Sequence, residues 1–97
     1  MINIAIIGGG DVGSVIMETL NNINECSVLG ICDVTHKSPG MRLAKKMGIL
    51  AYQQLEEVLH NPDLDLVIET TGSTHVREQV QKLKSERAVL IDLGNKK

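Results

Sequence analysis

Gly8-Gly9-Gly10-Asp11-Val12-Gly13 sits between an apolar run, Ile2 to Ile7, and a segment whose apolar residues return at helical spacing. The spacing G-x-G-x-x-G at a strand-to-helix junction suits anion binding rather than bond breaking. Gly8 permits a tight turn out of the strand. Gly10 has no Cβ to hold a pyrophosphate off the backbone, and Gly13 lets the helix pack closely on the strand. The first amides of the helix have no partners within it, and its dipole adds partial positive charge, so Gly8, Gly9, Gly10, Asp11, Val12 and Gly13 together can hold a diphosphate.

A carboxylate completes the pattern. Asp33 ends a second apolar run, Ser27 to Cys32, and lies 20 residues beyond Gly13. There it can accept hydrogen bonds from the ribose hydroxyls of adenosine and repel a 2′-phosphate, which favours NAD over NADP. Lys37 is near enough to weaken that preference. The competing reading is that Asp33 caps its own loop and the glycines form a turn with no ligand.

These residues need strands and helices to hold them. Val12, Val15, Ile16, Thr19 and Leu20 predict a helix with one buried face. Val28 to Cys32 reads as a parallel strand covered on both sides. Ser38-Pro39 reads as a hydroxyl cap with proline at the first helical position, followed by Met41, Leu43, Ala44 and Met47 and stopped by Gly48. Ile49 to Tyr52 is a short third strand, and Leu55, Val58 and Leu59 mark a short helix ended at Asn61-Pro62. Leu64 to Thr70 is the fourth strand. After it, Ser73 or Thr74 caps a helix with Val76, Val80 and Leu83 on one face and Arg77, Glu78, Gln81, Lys82 and Lys84 toward water. Ala88 to Asp92 is the fifth strand, and Gly94 to Lys97 closes the chain without a further helix.

Alternating strands and helices imply right-handed crossovers and a Rossmann-like α/β/α domain with a five-stranded parallel sheet, expected order 3-2-1-4-5. Ligands bind such sheets at the carboxyl ends of the strands, where the order reverses. Gly8 to Gly13, Asp33 and the turn Thr70 to Ser73 therefore share one edge. Thr71, Gly72, Ser73 and His75 are expected beside the nicotinamide half. His75 could move a proton there, but with no second acid–base group near it in sequence it reads rather as a polar surface residue or one that orients the turn. No catalytic residue is assigned. His36, His60 and His75 have no metal-ligand spacing.

Composition narrows the classes. Residues 1–97 make one domain, enough for a cofactor domain and too few for a substrate domain as well. Net charge is −2 and Tyr52 is the only aromatic residue, so neither a basic stripe nor a stacking platform for nucleic acid is present. No apolar run approaches the roughly 20 residues that cross a bilayer. Met1 leads directly into a core strand, which with Cys26 and Cys32 read as reduced thiols implies a cytoplasmic protein.

Two resemblances follow. Ile4 to Gly13, Asp33, Pro62-Asp63-Leu64-Asp65-Leu66-Val67-Ile68 and Ser73-Thr74-His75 resemble the amino-terminal domain of the glucose–fructose oxidoreductase and inositol dehydrogenase family. That family carries a Glu-Lys-Pro motif with the catalytic lysine after its fifth strand; here the strand runs into Asp92-Leu93-Gly94-Asn95. Ile31 to Val34, Ser38 to Ala44, Met47 to Ile49 and Asp63 to Gly72 are similar to the Rossmann-type domain of bacterial PAS-containing sensor kinases and transcription regulators. The resemblance implies an NAD(H)-binding sensor domain, not catalytic by itself, feeding a downstream PAS or kinase output domain. A homodimer is expected through an edge strand or a face left for a further domain. The alternative is the cofactor half of an NAD-dependent oxidoreductase whose substrate domain lies elsewhere. A third reading is a scaffold that is empty or takes coenzyme A or S-adenosylmethionine.

Overall fold

The computed structural model describes residues 1–94, so Asn95, Lys96 and Lys97 of the expected helix-free tail lie outside it. The strands are β1 (Ile2–Ile7), β2 (Cys26–Cys32), β3 (Ala51–Tyr52), β4 (Leu66–Glu69) and β5 (Val89–Asp92). The helices are α1 (Asp11–Asn21), α2 (Pro39–Met47), α3 (Leu55–Leu59) and α4 (Thr74–Leu83). All strand pairs are parallel and the order is β3-β2-β1-β4-β5, as the alternation of elements requires.

β1 divides the core by the two-residue period of a strand. Ile4 and Ile6 point to one face, where they meet Met17 of α1, Met41 and Ala44 of α2, and Ile31 and Ile68 of the neighbouring strands. Ala5 and Ile7 point to the other, with Val58 and Leu59 of α3, Val80 of α4, and Cys32 and Val67. A strand buried on both faces has no polar side to show, which is why β1 reads as an unbroken apolar run. A bulge at Leu29 shifts the register so that Ala5 faces Gly30, and the ring of Tyr52 lies where a side chain at Gly30 would stand.

The elements depart from expectation in definite ways. β3 is two residues long because Ile49 N–H donates to Ala44 O (2.9 Å), closing the end of α2 behind the left-handed Gly48 instead of joining the sheet. β2 begins earlier, at Cys26. Leu64 and Ala88 stay outside their strands because their amides donate to Asn61 O and Ser85 O in turns. Ser38 stands at the N-cap of α2, but its hydroxyl donates to Thr35 O (3.4 Å) and does not cap the helix. Ser73, by contrast, caps α4 by accepting from Val76 N–H (3.2 Å). Arg77 and Lys84 are half-buried rather than free in water. Arg77 pairs with Asp92 (3.4 Å), and Lys84 donates to Ala88 O (2.7 Å).

The largest correction concerns α1. Val12 and Val15 are 55% and 62% exposed, Thr19 is exposed too, and the buried stripe is Gly13 and Met17 flanked by Ile16 and Leu20. Contact at Gly13 turns the helix so that its glycine, not its valines, meets the strand. No helix is long and apolar enough to cross a membrane among the described residues.

Ile6 is fully buried in the central strand, and its truncation leaves a cavity between two helices and three strands. Ile6→Ala is expected to lower unfolding free energy by about 3 kcal/mol in a denaturant titration.

Candidate dinucleotide-binding site

The carboxyl ends of β1, β2 and β4 meet at an open cavity of about 450 Å³ lined by Gly8, Gly9, Gly10, Asp11, Val12, Gly13, Asp33, Thr70 and Thr71. Seven residues expected from sequence on this edge, the whole glycine turn with Asp33, are thus brought together with Thr71. Gly72, Ser73 and His75 are placed outside the wall. Gly72 adopts φ +74° and packs on the backbone of Gly94, Ser73 is spent capping α4, and His75 is exposed on the first turn of that helix.

The glycine turn is built by close approaches. Gly8 has φ +111°, a conformation that L side chains rarely adopt, and a Cβ there would also stand 2.3 Å from Thr70 Oγ1. A Cβ on Gly13 would lie 2.0 Å from Gly8 O. One on Gly9 would meet Ser38 Oγ at 2.4 Å and Asp33 Oδ2 at 2.9 Å. Gly10 differs: its φ is −75°, open to any residue, and nothing lies within 4 Å of its Cβ position. No neighbouring atom among the described residues requires glycine there, and the space beside its backbone is open.

The donors fit an anion. The first helical bond of α1 runs from Ser14 N–H to Gly10 O (2.9 Å), so the amides of Asp11, Val12 and Gly13 have no carbonyl within the helix to serve. Asp33 closes the opposite side. Its Oδ2 accepts from Gly9 N–H (2.7 Å) and its Oδ1 from Thr35 N–H (3.2 Å), so it does hold its own loop, and each oxygen still has a lone pair for a hydroxyl. Gly40 N–H, at the start of α2, donates to Gly9 O (2.6 Å). Gly9 is therefore gripped on both sides by the segment that follows β2.

A second, apolar cavity of about 250 Å³ adjoins the first, with Gly8, Asp33 and Thr71 common to both and Ile7, Cys32, Val34, Gln53, Leu55 and Val76 completing it. Val34, Gln53, Leu55 and Val76 escaped sequence reasoning. The available signal was positional: each follows the carboxyl end of a strand or opens the next helix. Burial pushes the Cys32 thiol up to about 11, with smaller contributions from the carboxylates of Asp33, Glu57 and Glu56.

Against the description "oxidoreductase family, NAD-binding Rossmann fold", residues 2–92 of the chain match. The chain belongs to that family. Acetaldehyde dehydrogenase of Thermomicrobium roseum is 30% identical over 95 residues, which is 95% of this chain and 30% of that protein. Among solved structures, myo-inositol dehydrogenase of Lactobacillus casei, in complex with NAD(H) and myo-inositol, aligns with 95% of this chain at 19% identity and a TM-score of 0.76. Scyllo-inositol dehydrogenase of the same organism, with bound cofactor NAD(H), aligns with 95% at 16% identity and a TM-score of 0.71. At those identities the likeness is one of fold. The chain spans 30% of the acetaldehyde dehydrogenase and 28% and 27% of the two inositol dehydrogenases. These comparisons align the NAD-binding Rossmann domain with oxidoreductases; they give no support to the resemblance to sensor kinases.

Two outcomes follow from the geometry. Gly13→Ala forces a methyl onto Gly8 O and should cost about 3 kcal/mol in a denaturant titration, whereas Gly10→Ala should leave the midpoint of unfolding in place. The Cys32 thiol titrates near 9 when unfolded and near 11 when folded, so the stability of the neutral buried thiol is complete below pH 9 and is lost as pH rises toward 11. Melting temperature should fall across that window, and part of the fall should be missing in Cys32→Ala.

Proposed function

We propose that the chain is the cofactor-binding part of an NAD-dependent dehydrogenase. The open space at Gly10 carries this reading, because it is the one place in the turn where glycine answers to something other than the protein. The amides of Asp11, Val12 and Gly13 would receive the pyrophosphate. Asp33 would take the adenosine ribose on the lone pairs left by Gly9 and Thr35, and the apolar cavity beside Val34 and Leu55 would take the adenine.

NAD when bound supplies a hydride acceptor. The chain's own contribution is to bind and orient it: the glycine amides fix the phosphates, Asp33 excludes a 2′-phosphate by charge, and Thr70 and Thr71 bound the far side. Asp33 holds its own loop and His75 lies outside the cavity wall, so neither is assigned the movement of a substrate proton. The groups that hold a substrate would then belong to the remainder of a protein the size of the relatives. The family match and the dehydrogenase relatives support this reading over the signalling role drawn from the second resemblance.

Calorimetric titration with NAD, NADH, NADP and S-adenosylmethionine tests it. NADH should bind, Gly10→Val should weaken it at least about tenfold, equivalent to about 1.4 kcal/mol, with unchanged melting temperature, and Asp33→Ala should narrow the gap between NAD and NADP. Equal affinity of wild type and Gly10→Val would remove the turn as the site.

A further inference from the structure

Glu69 is the buried charged residue of the core, 0% exposed at the end of β4. In register with Ile7 and Asp92, it points to the face covered by α3 and α4. Its Oε2 accepts from Thr71 N–H (3.1 Å) and from the Thr71 hydroxyl, while its Oε1 has no partner among the described residues. Removing a carboxylate from water is costly unless its oxygens are satisfied. An apolar residue would close this end of the core at less cost, so packing alone does not account for a glutamate. The neighbouring carboxylate has a different job: Asp92 accepts from Arg77 (3.4 Å) and from Gly94 N–H (3.1 Å).

The bonds from Glu69 continue outward. Thr71 Oγ1, whose proton goes to Glu69, accepts from Ser73 N–H (3.1 Å), and Ser73 caps α4. Thr71 therefore has its amide, its hydroxyl proton and a hydroxyl lone pair all directed into the protein. Its methyl is the atom left toward the site, and that Cγ2 lies 3.2 Å from the Cβ position of Gly8. Thr70 behaves alike, donating its hydroxyl to Ile7 O (2.9 Å). Thr71 is also, with Gly8 and Asp33, part of the wall shared by the glycine-lined cavity and the apolar one.

We propose that Glu69 is a positioning residue of the dinucleotide site: its carboxylate holds the Thr71 hydroxyl inward, and so sets the methyl-faced partition between the phosphate cavity and the apolar cavity. This rests on the dinucleotide reading above. A polar residue is used to present an apolar surface, and the buried acid is what enforces its orientation.

The test is NADH titration of the full chain as wild type, Thr71→Ser, Thr71→Val, Glu69→Gln and the double variant Glu69→Gln/Thr71→Val, with melting curves for each. Thr71→Ser keeps the bond to Glu69 and should lose about threefold in affinity. Thr71→Val keeps the shape and the methyl but not the bond, and it should lose about tenfold; Glu69→Gln keeps an acceptor oxygen but not the charge, and should lose about threefold. The double variant should be no weaker than Thr71→Val alone, because both substitutions act on the same contact. Wall packing without the carboxylate would give the reverse order, valine tolerated and serine not, and that result, or losses that multiply in the double variant, would overturn the proposal. If Glu69→Gln fails to fold, the serine and valine variants decide by themselves. A wild type that does not bind NADH would bring down the dinucleotide reading and this inference with it; binding with the reversed order brings down this inference alone.

Discussion

The structure depends on a contact between two pieces of backbone. Gly13 of α1 lies so close to the carbonyl of Gly8 that a methyl on it would overlap the oxygen, and no side chain other than hydrogen permits it. That contact fixes the rotation of α1 about its axis. Met17 then falls into the core, and Val12 and Val15 remain outside. The same contact brings the start of the helix over the end of β1, so its unpaired amides and its positive dipole end open on the cavity. Helix packing and the exposure of those amides are consequences of one approach distance.

A second constraint ties the two halves of the site. Asp33 holds the amide of Gly9 and the start of α2 holds its carbonyl, so the turn after β1 is kept in shape by the segment after β2. The carboxylate expected to meet a ribose is already part of the scaffold that positions the phosphate amides. A substitution there acts on both at once, through lost ligand contact and through a loosened turn.

Much of this was legible in the residues. Strand order followed from alternation of elements and the handedness of crossovers, and the glycine spacing together with Asp33 located the cavity before any coordinates. What escaped has a common cause: backbone hydrogen bonds leave little trace in composition. Ile49 continues an apolar run, yet its amide closes a helix instead of a ladder. Val12 and Val15 keep helical spacing, yet a neighbouring glycine decides which side of the helix is inside. Gly72, Ser73 and His75 follow the right strand, but the capping of α4 by Ser73 draws that stretch away from the cavity. Glu69 ends β4, and its burial depends on the turn at Thr71 folding back to it.

Tyr52 closes the seam between β2 and β3, its ring over Gly30 and its carbonyl accepting from Asp33 N–H (3.0 Å). It is the only aromatic side chain in the 97 residues. These 97 residues therefore carry a single tyrosine fluorophore, hydrogen-bonded through its own carbonyl to Asp33, the acid that holds Gly9. Its emission reports from that seam, which gives the domain an optical label of its own beside Asp33.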